Sequence, residues 1–153
     1  MKRIFDLVFS LIGLIIFSPI ILITALSIWL NDFGNPFYNA MRMGQNMRPF
    51  IMYKFRSMII NADKSGVMST SGSDERITSV GIVIRKFKLD EISQLLNVFL
   101  GDMSLVGPRP QVVEYVLKEY TETEKTLLSI KPGITDISSI VFSDEGDLLY
   151  GSA

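Results

Sequence analysis

The chain has no cysteine and no histidine among its 153 residues. Without cysteine there are no disulfides and no thiolate metal sites, although this alone does not separate reducing from oxidising compartments. Without histidine, any acid, base or nucleophile must be Asp, Glu, Lys, Tyr, Ser or Thr, and any metal must be a hard cation bound through oxygen. The two absences together point to carboxylates and magnesium-type chemistry. A basic excess is missing as well: 15 Lys and Arg stand against 16 Asp and Glu, for a formal net charge of -1. That balance lacks the electrostatic footprint of a nucleic-acid-binding protein. No internal repeat and no low-complexity tract is present.

Apolar residues are abundant, at 48% with a mean hydropathy of +0.32, and much of the excess lies near the N-terminus. From Leu7 to Asn31 there is no charged residue. At about 1.5 Å per residue, one straight helix of that length exceeds a hydrocarbon core of roughly 30 Å. The run also exceeds a signal-peptide h-region, and no small-x-small cleavage site follows it. Lys2 and Arg3 precede the run, and all other Lys and Arg follow it, so the positive-inside rule draws both ends to the cytoplasmic side. Ser18-Pro19 lies near the middle, where Pro19 removes one helical N–H and its ring crowds the carbonyl of Ile15. Two readings stay open on these residues: a kinked single-pass helix, since Pro is tolerated in spanning helices, and a helix-break-helix that enters and leaves by one face.

After the turn formers Asn31 to Pro36, the stretches Phe37 to Met43 and Pro49 to Arg56 read as the two strands of a short hairpin. The polar run Asn61 to Arg76 reads as a loop, either a surface linker or a segment that closes over a ligand. Thr78 or Ser79 caps a helix through about Phe87. A second helix begins near Leu89, with Ile92, Leu95, Leu96 and Phe99 on one face, and ends at Gly101. Val106-Gly107-Pro108-Arg109-Pro110 must be a constrained turn, because each Pro fixes its own φ and restricts the residue before it. A further helix is expected from about Gln111 to Tyr120, with a continuation toward Leu128, before the Lys131-Pro132-Gly133 break.

Asp90-Glu91 opens the second helix, where the positive helix end favours anions. Acids there commonly only cap the helix. The surrounding cations raise a second reading: Lys54 and Arg56 end the second strand, Arg85, Lys86 and Lys88 precede the pair, and Arg109 is held between two prolines. Such groups gathered near a carboxylate are what a diphosphate and a divalent cation require.

Taken in order, Lys54-Phe55-Arg56-Ser57-Met58, Leu89-Asp90-Glu91 with Gln94-Leu95 and Asn97-Val98, Gly101-Asp102-Met103-Ser104-Leu105-Val106-Gly107-Pro108-Arg109-Pro110 and Lys131-Pro132-Gly133-Ile134-Thr135 resemble the monotopic phosphoglycosyl transferases, or bacterial sugar transferases. The resemblance runs from about Lys2 to about Phe142. It implies a fold that is mainly α with a short β-hairpin. Residues 1–32 would form a re-entrant membrane helix-break-helix, and residues 33–153 a small cytoplasmic catalytic domain with amphipathic interfacial helices at the bacterial inner membrane. It implies transfer of a sugar 1-phosphate from a nucleotide sugar, with uridine diphosphate as the suggested nucleotide, to undecaprenol phosphate. Asp90 would be the nucleophile, carrying a phosphosugar intermediate, and Glu91 a ligand of Mg2+. Lys54, Arg56, Arg85 and Arg109 would contact phosphates, and Asp102 would organise the loop before the Pro-Arg-Pro turn. A homodimer is left open.

The chain departs from the family pattern at Lys88, where many members have a small hydroxyl residue, at Ser93, where Pro is common, and at Asp136, where Gly is common. Members usually continue beyond the position of Ala153 with residues that help build the site, so a shortened catalytic region is expected here. A membrane-anchored adaptor binding anionic lipid heads is the competing reading, and it needs neither the Asp-Glu pair nor the Pro-Arg-Pro turn.

Overall fold

A computed structural model describes residues 1–62 and 74–136 of the chain. The first element, α1, is a single helix over Lys2–Asp32. The break expected at Ser18-Pro19 is therefore absent as an interruption of the helix. Pro19 cannot donate to the carbonyl of Ile15, but the Ser18 hydroxyl donates to that oxygen at 2.8 Å, so the orphaned acceptor is satisfied locally and the helical pattern resumes. Thirty-one residues at 1.5 Å each make an element of about 46 Å.

One stripe of α1 packs on the rest of the protein. Asp6, Ser10, Thr24 and Ile28 are buried, and Gly13 lies against Leu95. Both ends are fastened to the same body. At the start, Arg3 donates to the carbonyls of Val98 and Phe99 at 2.6 and 2.8 Å, and Asp6 accepts from the Ser104 hydroxyl and the Leu105 N–H. At the finish, Asp32 pairs with Arg56 at 2.5 Å. The opposite face carries Ile15, Ile16, Leu22 and Ile23, each more than 60% exposed. An apolar face of this extent is costly in water and matches an apolar solvent.

The hairpin expected from the sequence is formed by β1 (Phe37–Met43) and β2 (Pro49–Phe55), antiparallel with Ala40 opposite Met52. Next, α2 spans Ser79–Lys86, and the Thr78 hydroxyl accepts from the Gly81 N–H as its cap. The helix expected from Leu89 starts as a 3-10 turn over Leu89–Gln94 and becomes α3 over Leu95–Leu100, ending at Gly101 with φ of 105°. That left-handed conformation suits glycine. The helix expected after Pro110 is divided into α4 (Val113–Glu119), α5 (Glu122–Lys125) and a 3-10 turn over Thr126–Ser129. Thr121 and Glu124 form a capping box that starts α5 anew, so chain continuity gives way to a fresh cap.

Two short strands not read in the sequence, β3 (Ser104–Val106) and β4 (Gly133–Thr135), pair in parallel. They join the Pro-Arg-Pro turn to the Lys-Pro-Gly segment. A Cβ on Gly107 or Gly133 would collide with backbone of the other segment, so glycine is required at this crossing.

The core has two clusters. Ala40, Met52, Val98 and Met103 seal the hairpin against α3. Ile28, Phe55 and Ile84 join α1, β2 and α2. On α2, Ile82 and Val83 remain exposed while Ile84 is buried. The base of the loop expected over Asn61 to Arg76 is closed by a bridge between Met58 and Ile77 and by Arg76 on Asp74. Hydrogen bonds from the Arg76 side chain and backbone hold the Asp74 carboxyl down at about 2. Residues 63–73 of that loop, and residues 137–153, lie outside the described residues.

Candidate functional site

Asp90 sits in the first turn of the 3-10 segment, entered through Lys88 in a left-handed conformation with φ of 52°. Its carboxylate is buried, and Oδ2 lies 2.7 Å from Lys54 Nζ on β2. The helix and the strand are held in this relation by side chains rather than by a sheet. Asn97, fully buried, accepts from the Tyr53 N–H at 2.9 Å and donates to the Ile51 carbonyl at 2.7 Å. The Ser93 hydroxyl reaches the Tyr53 and Asp90 carbonyls at 3.1 and 3.2 Å. One helical face thus satisfies the free edge of β2 immediately before Lys54, and this sets Lys54 opposite Asp90.

Glu91, partly exposed, faces Arg109, whose guanidinium approaches Oε1 at 3.5 Å. That distance, with Arg109 more than half exposed, makes a loose pair that contributes little to stability. Arg109 is delivered by the constrained turn. The Gly107 N–H donates to the Thr135 carbonyl and the Gly133 N–H to the Pro108 carbonyl. After the turn, the Met43 N–H donates to the Gln111 carbonyl and Arg42 forms a bridge with Val112. The segment is therefore fixed on both sides of Arg109.

Lys54, Asp90, Glu91 and Arg109 are brought together. Arg56 turns instead to Asp32 at the end of α1, because it lies past the end of β2, and Arg85 donates to the Ser57 hydroxyl at 3.1 Å. Lys86 lies 5.9 Å from the Phe87 ring centre. Asp102 stands beside Asn97 Nδ2 at 3.4 Å, and its N–H donates to the Asn97 carbonyl, an arrangement that organises the turn after α3.

Beside the Asp90-Glu91 pair lies a cleft lined by Arg42, Lys54, Gln94, Arg109, Gly133 and Ile134. Among the described residues, three cations and no carboxylate line it. Arg42, Ser93, Gln94 and Asn97 were not singled out as site residues from the sequence. For Asn97 the signal was present: it is the one polar residue in the run Leu95 to Leu100, and a polar side chain inside an apolar run marks a buried hydrogen-bonding position.

The chain matches the family model described as bacterial sugar transferase over residues 1–149. A Bacillus subtilis protein with the provisional name undecaprenyl-phosphate N-acetylgalactosaminyl 1-phosphate transferase is 44% identical over 110 residues, 72% of this chain and 62% of its own length. The uncharacterized sugar transferase EpsL of the same organism is 42% identical across 92% of this chain and 68% of its own. The UDP-N-acetylgalactosamine-undecaprenyl-phosphate N-acetylgalactosaminephosphotransferase of Aeromonas hydrophila is 37% identical across 95% of this chain. Only 35% of that longer protein is matched, so the chain spans from about a third to about two thirds of the length of these relatives. With the motifs assembled around one carboxylate pair and the family model covering nearly the whole sequence, the chain belongs to the bacterial sugar transferase family.

Proposed function

We propose that the chain moves a sugar 1-phosphate from a uridine diphosphate sugar to undecaprenol phosphate at the cytoplasmic face of the bacterial inner membrane, through a phosphosugar carried on Asp90. The observation that carries this reading is the buried Asp90 carboxylate held by Lys54 and flanked by Glu91 and Arg109. The relatives' names, which state undecaprenyl-phosphate sugar-phosphate transfer, support it.

In the first step an Asp90 oxygen attacks the phosphorus attached to the sugar. The bond to the bridging oxygen breaks, and nucleoside monophosphate leaves with that electron pair. In the second, an oxygen of the lipid phosphate attacks the same phosphorus and Asp90 leaves as carboxylate. Two displacements let donor and acceptor use one site in turn. Lys54, 2.7 Å from Oδ2, orients the Asp90 carboxylate, while Arg109 faces the incoming phosphates.

Among the described residues no three acidic side chains gather as a metal cage, and magnesium does not need one: one or two carboxylates with substrate phosphates suffice. Glu91, partly exposed and only loosely engaged by Arg109, fits as that ligand. When bound, the ion would neutralise diphosphate charge so that an anionic nucleophile can approach. Incubating the protein with magnesium, undecaprenol phosphate and a panel of uridine diphosphate sugars is expected to release uridine monophosphate with at least one donor. Release with none would favour the adaptor reading.

The re-entrant topology is part of this proposal. Both ends of α1 are fastened to one body and basic residues flank both ends, while at the middle Pro19 deletes a backbone hydrogen bond that only the Ser18 hydroxyl replaces. A helix bound at each end to a single polar domain is poorly suited to leaving that domain and crossing the bilayer. Because the chain has no cysteine, Lys2→Cys places a single thiol at the N-terminal end. That thiol is expected to resist impermeant reagents added from the periplasmic side. Pro19→Ala restores a helical N–H and relieves the crowding at Ile15, so the labelled fraction should rise. Full periplasmic labelling without the Pro19 change would mean a single-pass helix.

A further inference from the structure

We propose that Arg42 is a diphosphate-binding residue of this site, its guanidinium and that of Arg109 gripping the diphosphate of the nucleotide donor in the cleft that both line with Lys54. The inference rests on the transferase reading above and adds a contact to it. Arg42 lies on β1 and lines the cleft with Lys54, Gln94 and Arg109. Among the described residues, its Nε is the buried side-chain nitrogen without a hydrogen-bond partner, and no carboxylate pairs with Arg42 there. Lys54 and Arg109 each pair with an acid; among the described residues Arg42 has no such ion pair.

A shielded N–H with nothing to donate to is costly, and such groups in folded proteins call for a specific explanation. The explanation offered by the surroundings is an anion. Burial pushes the Arg42 guanidinium down from its ordinary value, Tyr38 pushes it up, and the neighbouring Arg109 pushes it down again. A phosphate between the two arginines would satisfy the open donor and cancel the repulsion. The planar fork of a guanidinium suits this task, as it can offer Nε and a terminal nitrogen to two phosphate oxygens at once. The backbone supports the pairing, since the bridge from Arg42 to Val112 anchors the segment that carries Arg109.

Diphosphate or phosphate also occurs on the lipid, so two ligands are compared on the full chain in detergent with magnesium: uridine diphosphate and farnesyl phosphate. Calorimetry should show Arg42→Met losing roughly 10- to 100-fold in affinity for uridine diphosphate, with farnesyl phosphate much less affected. Arg42→Lys, which keeps the charge without the fork, should lose less. The melting temperature of Arg42→Met should stay level or rise, because an unsatisfied buried donor has been removed. Wild-type affinity for uridine diphosphate in Arg42→Met would overturn the assignment, and so would a collapse of melting temperature in both variants. A loss confined to farnesyl phosphate would assign the residue to the lipid and overturn the donor contact. Failure of the wild type to bind uridine diphosphate would instead bring down the transferase reading together with this inference.

Discussion

Asp90→Asn is expected to lower sugar-phosphate transfer by at least about 10⁴-fold, the scale on which removal of a covalent nucleophile acts. The substitution keeps the size of the side chain and one oxygen for hydrogen bonding, so a role limited to starting the 3-10 turn predicts little change in rate. The structure sharpens the comparison. Asp90 is paired with Lys54 at 2.7 Å, and Lys54 is about a quarter exposed. Loss of the negative charge should therefore cost about 1–2 kcal/mol, below the range for fully buried pairs, because solvent still reaches the ammonium. A modest stability loss with near-complete loss of turnover is the signature of covalent chemistry. Equal modest losses in both would make the pair structural. Glu91→Gln should also reduce turnover, but there the loss should lessen as magnesium is raised, since a neutral amide is a weaker ligand for a hard cation.

The second large effect is expected at Asn97, which touches no substrate. Asn97→Leu retains volume but strands the Tyr53 N–H and the Ile51 carbonyl, both of which the amide now satisfies. Leaving a buried donor and acceptor unpaired is expected to destabilise the protein by about 2–4 kcal/mol, lowering the melting temperature by roughly 10 °C. Ser93→Ala removes a hydroxyl that shares its donor between two carbonyls and should cost only about 1 kcal/mol. Thermal unfolding of the two variants in the same detergent checks the order. If Ser93→Ala proves the more damaging, the edge of β2 is not held by Asn97.

What was legible in the sequence was what is decided locally. Thr78 announces α2 because a hydroxyl before an apolar periodic run accepts from the third N–H, and Gly101 announces the end of α3 because the left-handed cap suits glycine. The hairpin strands follow from two β-prone runs around Gly44-Gln45-Asn46-Met47. What was not legible depends on partners far along the chain. Lys54 and Arg56 sit two apart and look equivalent, yet one meets Asp90 and the other Asp32, a difference set by where β2 stops. The parallel pairing of β3 with β4 joins residues about thirty positions apart, and three-residue strands carry too little periodicity to reveal it. Arg42 looks like an ordinary solvated strand cation until Val112 and the Arg109 turn enclose it. Ser18-Pro19 leaves a kink and a break both open in the sequence, because proline deletes a hydrogen bond; that α1 runs on through it depends on the Ser18 hydroxyl supplying a substitute.

The central claim is that Asp90 carries the phosphosugar, and the most direct measurement is the intact mass of the protein after incubation with a uridine diphosphate sugar and magnesium, with no lipid acceptor. The account predicts a gain equal to one sugar phosphate, its removal when undecaprenol phosphate is added, and no gain in Asp90→Asn. A wild-type protein that turns over donor with no adduct at any time, or an Asp90→Asn protein that still acquires the sugar phosphate, would contradict it.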